Sequence, residues 1–114
     1  MDLLNEQEQV FHGVVVNSGN ANACTGKQGD LDCAKMASET ARHLKVHSKE
    51  ILVCSTGRIG VQMPMSRVTA GITEACQDTL DELDGGKAFQ EAILTSDTRT
   101  KSCSAQIETS SGKV

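Results

Sequence analysis

Val14-Val15-Val16-Asn17-Ser18-Gly19-Asn20-Ala21-Asn22-Ala23-Cys24-Thr25-Gly26 decides how the chain is read. Three β-branched residues in a row suit a strand buried on both faces. A polar run follows at once, carrying Gly19, Gly26 and the asparagines Asn17, Asn20 and Asn22. Asn and Gly tolerate left-handed backbone, and Asn side chains bond the local backbone. The stretch therefore predicts a buried strand, a tight shaped loop and a helix beyond it. A loop held on a buried strand is a usual place for a binding or reacting site. A plain strand-to-helix connection fits the spacing equally well. A phosphate loop does not fit. Its motif sets four residues between the first Gly and a Gly-Lys pair, then Ser or Thr. Here six residues separate Gly19 from Gly26, and Gln28 follows Lys27.

Downstream, residues 29–44 carry a helical pattern. Cys33, Met36, Ala37, Thr40, Ala41 and Leu44 share one face. Asp30 is the expected N-cap, Asp32 suits the first turn, and Arg42 and His43 suit the last. Ser48 is a candidate cap for a brief turn before the next strand. Residues 51–54 then repeat the opening pattern, a short apolar strand running into Ser55-Thr56-Gly57-Arg58-Ile59-Gly60. A second helix is expected over residues 64–83, opened by Pro64. Its inner stripe is Met65, Val68, Ile72, Ala75, Cys76, Thr79 and Leu83. Asp84-Gly85-Gly86 is expected to end it. A third helix over 87–94 would bury Ala88, Phe89, Ala92 and Ile93. Finally Cys103, Ala105 and Ile107 alternate with polar residues, as in a half-buried strand. Ser110-Ser111-Gly112 reads as a turn.

The expected domain plan is a polar lead over residues 1–12 and a partial domain over 13–114. A buried strand so near the start, and a turn so near the end, suggest sequence missing on both sides. The 114 residues allow one domain or part of one, with an aliphatic core, since Phe11 and Phe89 are its only aromatic residues. A net charge of -4 gives no electrostatic footprint for nucleic acid or an anionic membrane. No apolar run approaches the ~20 residues of a membrane-spanning helix. Cysteines at 24, 33, 54, 76 and 103 are odd in number and widely spread. That argues against a disulfide framework and for a reducing compartment. Most have small apolar neighbours, where Cys behaves as a small hydrophobe.

Few side chains here suggest chemistry by themselves. His43 and His47 stand four apart, a metal-binding spacing, but no carboxylate or Cys is placed with them. No metal is expected. Cys24 with His43 is a nominal thiol and base, with nothing local in support. Ser55-Thr56-Gly57 offers more, because a hydroxyl and a Gly amide at a strand mouth can aim two donors at a developing oxyanion. Thr95-Ser96-Asp97-Thr98 offers hydroxyls and a carboxylate just past a helix end. On pattern alone, both stretches fit ordinary turns better.

Taken in order, VVVNSGNANACTG, then LVCSTGRIG with MPM close behind, then AILTSDT resemble the ornithine acetyltransferase family of arginine biosynthesis, the ArgJ family. The likeness runs from about Gly13 to the end of the chain. It implies an α+β fold, part of a layered αββα sandwich in which two halves of one polypeptide build the site. It also implies a self-processing enzyme. Cleavage frees an N-terminal Thr, which takes an acetyl group from N-acetylornithine and passes it to glutamate; some members also use acetyl-CoA. The family's oxyanion hole carries over onto Thr56 and Gly57, and a substrate-contacting Thr onto Thr95. Ser96 is a mild departure, and Arg58 stands where the family pattern has an apolar residue. The Lys-Gly-Ser-Gly stretch and the Ala-Thr-Met-Leu cleavage site do not occur in these residues, so no nucleophile is assigned here. The chain is expected to be an interior piece of the first half, ending before the cleavage site. The implied partners are the second half bearing the Thr nucleophile, small amino-acid substrates and an oligomer, without nucleic acid or membrane. No cofactor is expected beyond acetyl-CoA as a co-substrate. The expected compartment is the cytoplasm, or the mitochondrion in a eukaryote. The alternative is a truncated, non-catalytic remnant that acts as a folding or interaction module.

Overall fold

The computed structural model describes residues 10–77, 82–110 and 112–113. Most of the expected polar lead, residues 1–9, lies outside them. The order is β1 (Gly13–Asn20), α1 (Gly26–Leu44), a 3-10 turn (Ser48–Glu50), β2 (Ile51–Arg58), α2 (Met65–Gln77), α3 (Glu82–Ala92), β3 (Glu108–Thr109) and β4 (Gly112–Lys113). The class is α+β.

β1 and β2 pair in parallel, from Gly13 opposite Ile51 to Asn20 opposite Arg58. Parallel partners need a crossover, and α1 supplies it. Both strands outrun the apolar stretches that predicted them. Asn17 to Asn20 and Ser55 to Arg58 belong to the ladder, not to loops after it. The pairing occupies backbone N–H and C=O groups whatever the side chains are, so polarity did not mark where the strands stop.

Burial on both strand faces is also corrected. Val15 and Val53 pack against a core of Met36, Met63 and Ile72, together with Met65, Val68 and Cys76. The neighbouring positions do not share that cover: Val14 is 50% exposed and Cys54 is exposed. Helices therefore cover one face of the sheet and leave the other partly open, with Val16 and Leu52 half-buried on it. The cysteines follow suit. All five are free, and Cys24, Cys54 and Cys103 are exposed instead of packed as small hydrophobes.

α1 starts three residues before the sequence pattern does. Thr25, not Asp30, precedes its first turn, and the Thr25 side chain does not cap it. Asp32 falls in the second turn and is buried. Of the predicted stripe, Met36, Thr40 and Ala41 are buried, Cys33 and Ala37 are half-buried, and Leu44 remains 46% exposed. Arg42 and His43 do occupy the last turn. The helix stops at Lys45, whose φ is 58°. The N–H groups of Lys45 and Val46 both donate to Ala41 O, satisfying an end carbonyl. His47, not Ser48, caps the 3-10 turn: its ring accepts from Lys49 N–H, and Glu50 accepts from His47 N–H.

α2 follows Pro64, whose carbonyl accepts from Arg67 and Val68 N–H. Of its predicted stripe, Ile72 is buried, Met65, Val68 and Cys76 are half-buried, and Ala75 is exposed. The expected continuation to residue 83 crosses residues 78–81, outside the described ones, and Thr79 lies there. Asp84-Gly85-Gly86 does not end a helix. It lies within α3, since glycine weakens a helix by ~1 kcal/mol against Ala without forbidding it. The predicted inner side of the third helix is not buried: Ala88 and Ala92 are exposed, Phe89 is 45% exposed, and Ile93 is half-buried. The predicted strand through Cys103, Ala105 and Ile107 is absent among the described residues, and all three are exposed. Only Glu108–Thr109 pairs there, antiparallel with Gly112–Lys113. Alternation without a neighbouring strand or a covering layer cannot bury a face.

Candidate active site at the paired strand ends

The register sets Ser18 opposite Thr56, Gly19 opposite Gly57 and Asn20 opposite Arg58. Two residues distant in sequence thus share one strand end, and the reason is steric. A Cβ on Gly57 would lie 2.3 Å from Gly19 C, 2.6 Å from Gly19 O and 2.7 Å from Asn20 N. No side chain fits there. Gly57 also has φ 128° and Gly19 has φ 96°, values that L side chains rarely adopt. The close approach locks Gly57 against the Gly19–Asn20 peptide, while Thr56 and Gly57 both stay exposed.

Asparagines hold this end in place. Asn17 Nδ2 donates to Asn20 O at 2.8 Å, and Asn20 Nδ2 donates to Val61 O at 3.0 Å. Ala21 N–H donates to Arg58 O, and Gly60 N–H to Ala23 O, both at 2.9 Å. Further on, Thr25 Oγ1 donates to Asn22 Oδ1 at 2.6 Å, and Asn22 Nδ2 to Gly29 O at 2.8 Å. Gln62 Nε2 closes the set on Thr25 O at 3.1 Å. The loop after β1 is therefore stitched to the loop after β2. Sequence reasoning anticipated local Asn–backbone bonds but not the cross-loop bond of Asn20 or the role of Gln62. Their partners are too far away in sequence to leave a local signal.

Thr95 is exposed, beyond the end of α3. Its segment is tied to the strands indirectly: Ser18 Oγ donates to Ala92 O at 2.7 Å, and Ser18 is opposite Thr56. No hydrogen bond joins Thr95 to Thr56 among the described residues. The Thr95-Ser96-Asp97-Thr98 stretch is held by local contacts. Asp97 accepts from Lys101 Nζ and from Thr95 N–H, and these contacts, Lys101 first, hold its carboxyl below the usual carboxylate range.

The other nominal constellations separate. Cys24 precedes α1 and His43 lies in its last turn, so a 19-residue helix, about 28 Å long, stands between them. His47 is engaged as a cap, and His43 Nε2 faces Thr73 Oγ1 at 3.2 Å and Arg42 Nη2 at 2.9 Å. A cavity of about 560 Å³ runs along β1, lined by Val15, Val16, Met36, Val68 and Ile72, with Asn17, Ser18, Asn20 and Arg67 as its polar part. Thr56, Gly57 and Thr95 do not line it.

The fold and the strand-end site define an α+β protein with a glycine-locked βαβ unit. The chain belongs to the ArgJ family, whose model matches residues 1–114. The arginine biosynthesis bifunctional protein ArgJ of Thermotoga neapolitana is 43% identical over 101 residues, covering 89% of this chain and 25% of that protein. The protein of the same name from Listeria monocytogenes serovar 1/2a is 46% identical over 105 residues, covering 91% and 25%. This chain thus spans about a quarter of the length of the curated relatives it matches. Two solved structures resemble it. The ornithine acetyltransferase of Mycobacterium tuberculosis, complexed with ornithine, aligns at TM-score 0.73 and 37% identity, covering 75% of this chain and 47% of that one. The ArgJ protein of Bacillus halodurans aligns at TM-score 0.69 and 42% identity, covering 75% and 44%.

Proposed function

We propose that this chain is the oxyanion-hole segment of a self-processing N-acetyltransferase. The enzyme moves an acetyl group from N-acetylornithine, or from acetyl-CoA, to glutamate. A second half of the polypeptide supplies an N-terminal Thr and takes its place against the more open sheet face, completing an αββα sandwich in an oligomeric, cytoplasmic enzyme. The Thr hydroxyl attacks the acetyl carbonyl and displaces the ornithine amine, and the acetyl-enzyme then passes its acetyl group to the glutamate amine. Each attack places negative charge on the carbonyl oxygen. Thr56 and the Gly57 peptide are the donors assigned to it. Thr95 contacts substrate.

The observation that carries this assignment is the approach of Gly57 to Gly19. It fixes Thr56 and Gly57 at one strand end by backbone packing and leaves both exposed. A preorganised donor needs that kind of immobility, because donors already in place need not reorganise as charge develops. Belonging to the ArgJ family supports the reaction class.

The test is steady-state kinetics on the complete, self-processed enzyme. Thr56→Ala should lower kcat by ~10²–10³, the usual loss for one oxyanion donor, with little change in substrate binding. Thr95→Ala should raise KM at least as much as it lowers kcat. A Thr56→Ala enzyme that cleaves itself and keeps near-normal kcat would remove Thr56 from the hole. The 114-residue chain alone, which lacks the Ala-Thr-Met-Leu site, should transfer no acetyl group above background.

A further inference from the structure

Arg58 occupies the last position of β2, two residues after Thr56. Arg58 directly follows Gly57, whose φ of 128° departs from regular strand geometry, and so adjoins Thr56 by its place at the strand end. Its backbone is held, since Arg58 O accepts from Ala21 N–H at 2.9 Å. Its residue is exposed, and its guanidinium forms no ion pair or hydrogen bond among the described residues. Asn20, directly opposite, is engaged with Val61 O and offers it no counter-charge. A fixed backbone carrying an unengaged planar cation is suited to a carboxylate, which the guanidinium fork can grip through two parallel hydrogen bonds.

We propose that Arg58 is a specificity residue, which binds the side-chain carboxylate of the acyl acceptor and disfavours a cationic side chain in the same place. This rests on the acetyl-transfer reading above, in which Thr56 faces the reacting carbonyl. The two substrates of that reaction differ at the far end of the side chain. Glutamate carries an anion there, and ornithine carries an ammonium. A cation beside the hole therefore acts on them with opposite sign.

The experiment measures both half-reactions of the complete enzyme, for the parent, Arg58→Met and Arg58→Lys. Methionine keeps an unbranched stem without the charge, and lysine keeps the charge without the fork. Arg58→Met should raise the KM for glutamate about tenfold or more, in line with a lost hydrogen bond to a charged group. The KM for N-acetylornithine should stay level or fall. Arg58→Lys should lie between the two in its glutamate KM. Added salt should narrow the difference between parent and Arg58→Met, because a charge interaction is screened. Both KM values within twofold of the parent in Arg58→Met would overturn the assignment and leave the acetyl-transfer reading standing. A parent enzyme that transfers no acetyl group at all would overturn that reading, and the role of Arg58 would fall with it.

Discussion

Residues 13–77 and residues 82–113 carry similar sequence patterns and meet different fates. In the first region, Met36, Ile51, Met63 and Ile72 are buried, and Met36, Met63 and Ile72 pack together from elements remote in sequence. In the second, Phe89 and Ile107 stay 45% and 61% exposed. Its bonds are mostly short in range: Ile93 N–H to Phe89 O, Leu94 N–H to Glu91 O, Lys101 to Asp97, and Thr109 Oγ1 to Gly112 O. An amphipathic stretch states which side would be buried if something arrives to cover it. In the first region, β1, β2, α1 and α2 cover one another. In the second, α3 meets the strands through the Ser18–Ala92 hydrogen bond, and most of its apolar side stays open.

The sharpest way to break this contrast is at the glycine contact. Gly57→Ala would force a Cβ into the Gly19 peptide at an unfavourable φ, so it should destabilise the first region by roughly 2–6 kcal/mol, combining strain with overpacking. Urea unfolding would check it, and a midpoint unchanged from the parent would mean the strand ends are not locked as described. Next in size, Met36→Ala empties a fully buried site and should lower stability by ~2–5 kcal/mol. Phe89→Ala, of comparable size but half-exposed, should stay within ~0.5 kcal/mol. Equal losses for the two would erase the distinction between the regions.

The smallest effect is one of pH. The Asp97 carboxyl is held low by Lys101 and by Thr95 N–H, so its contribution is present above the ordinary carboxylate range. It is lost as pH falls through the depressed folded value. Amide exchange at Thr95 should therefore quicken only in acid, below the ordinary carboxylate range, after the intrinsic pH dependence of exchange is removed. Lys101→Ala should bring that onset to higher pH. An onset that does not move would show that Lys101 is not what holds the carboxyl down.

Much of the first region was legible from its residues. The valine run and residues 51–54 marked two strands, and Met36, Thr40 and Ala41 marked the inner side of α1. Ser55-Thr56-Gly57 drew attention as a hydroxyl and an amide at a strand mouth, and the structure places it within a strand at the sheet's end. What escaped were the features that depend on a partner. The strands extend through polar residues because each has the other beside it. Asn20 and Gln62 bond across loops that the sequence keeps about 40 residues apart. In the second region the error ran the other way. Ala88, Phe89 and Ala92 have helical spacing, but spacing carries no information on whether a neighbour is present.

The parallel register also sets a schedule for synthesis. Gly19 cannot meet Gly57 until about 40 further residues have left the ribosome, which at 5–20 residues per second is roughly 2–8 s. During that interval Val14, Val15 and Val16 have been made but β2 has not, so the edge that β2 will occupy is open to any other strand. An antiparallel hairpin would close its edge almost as soon as its turn was made. The arrangement that brings two remote glycines together therefore leaves the nascent chain with a waiting period, in which a chaperone or a slow codon run has the most to contribute.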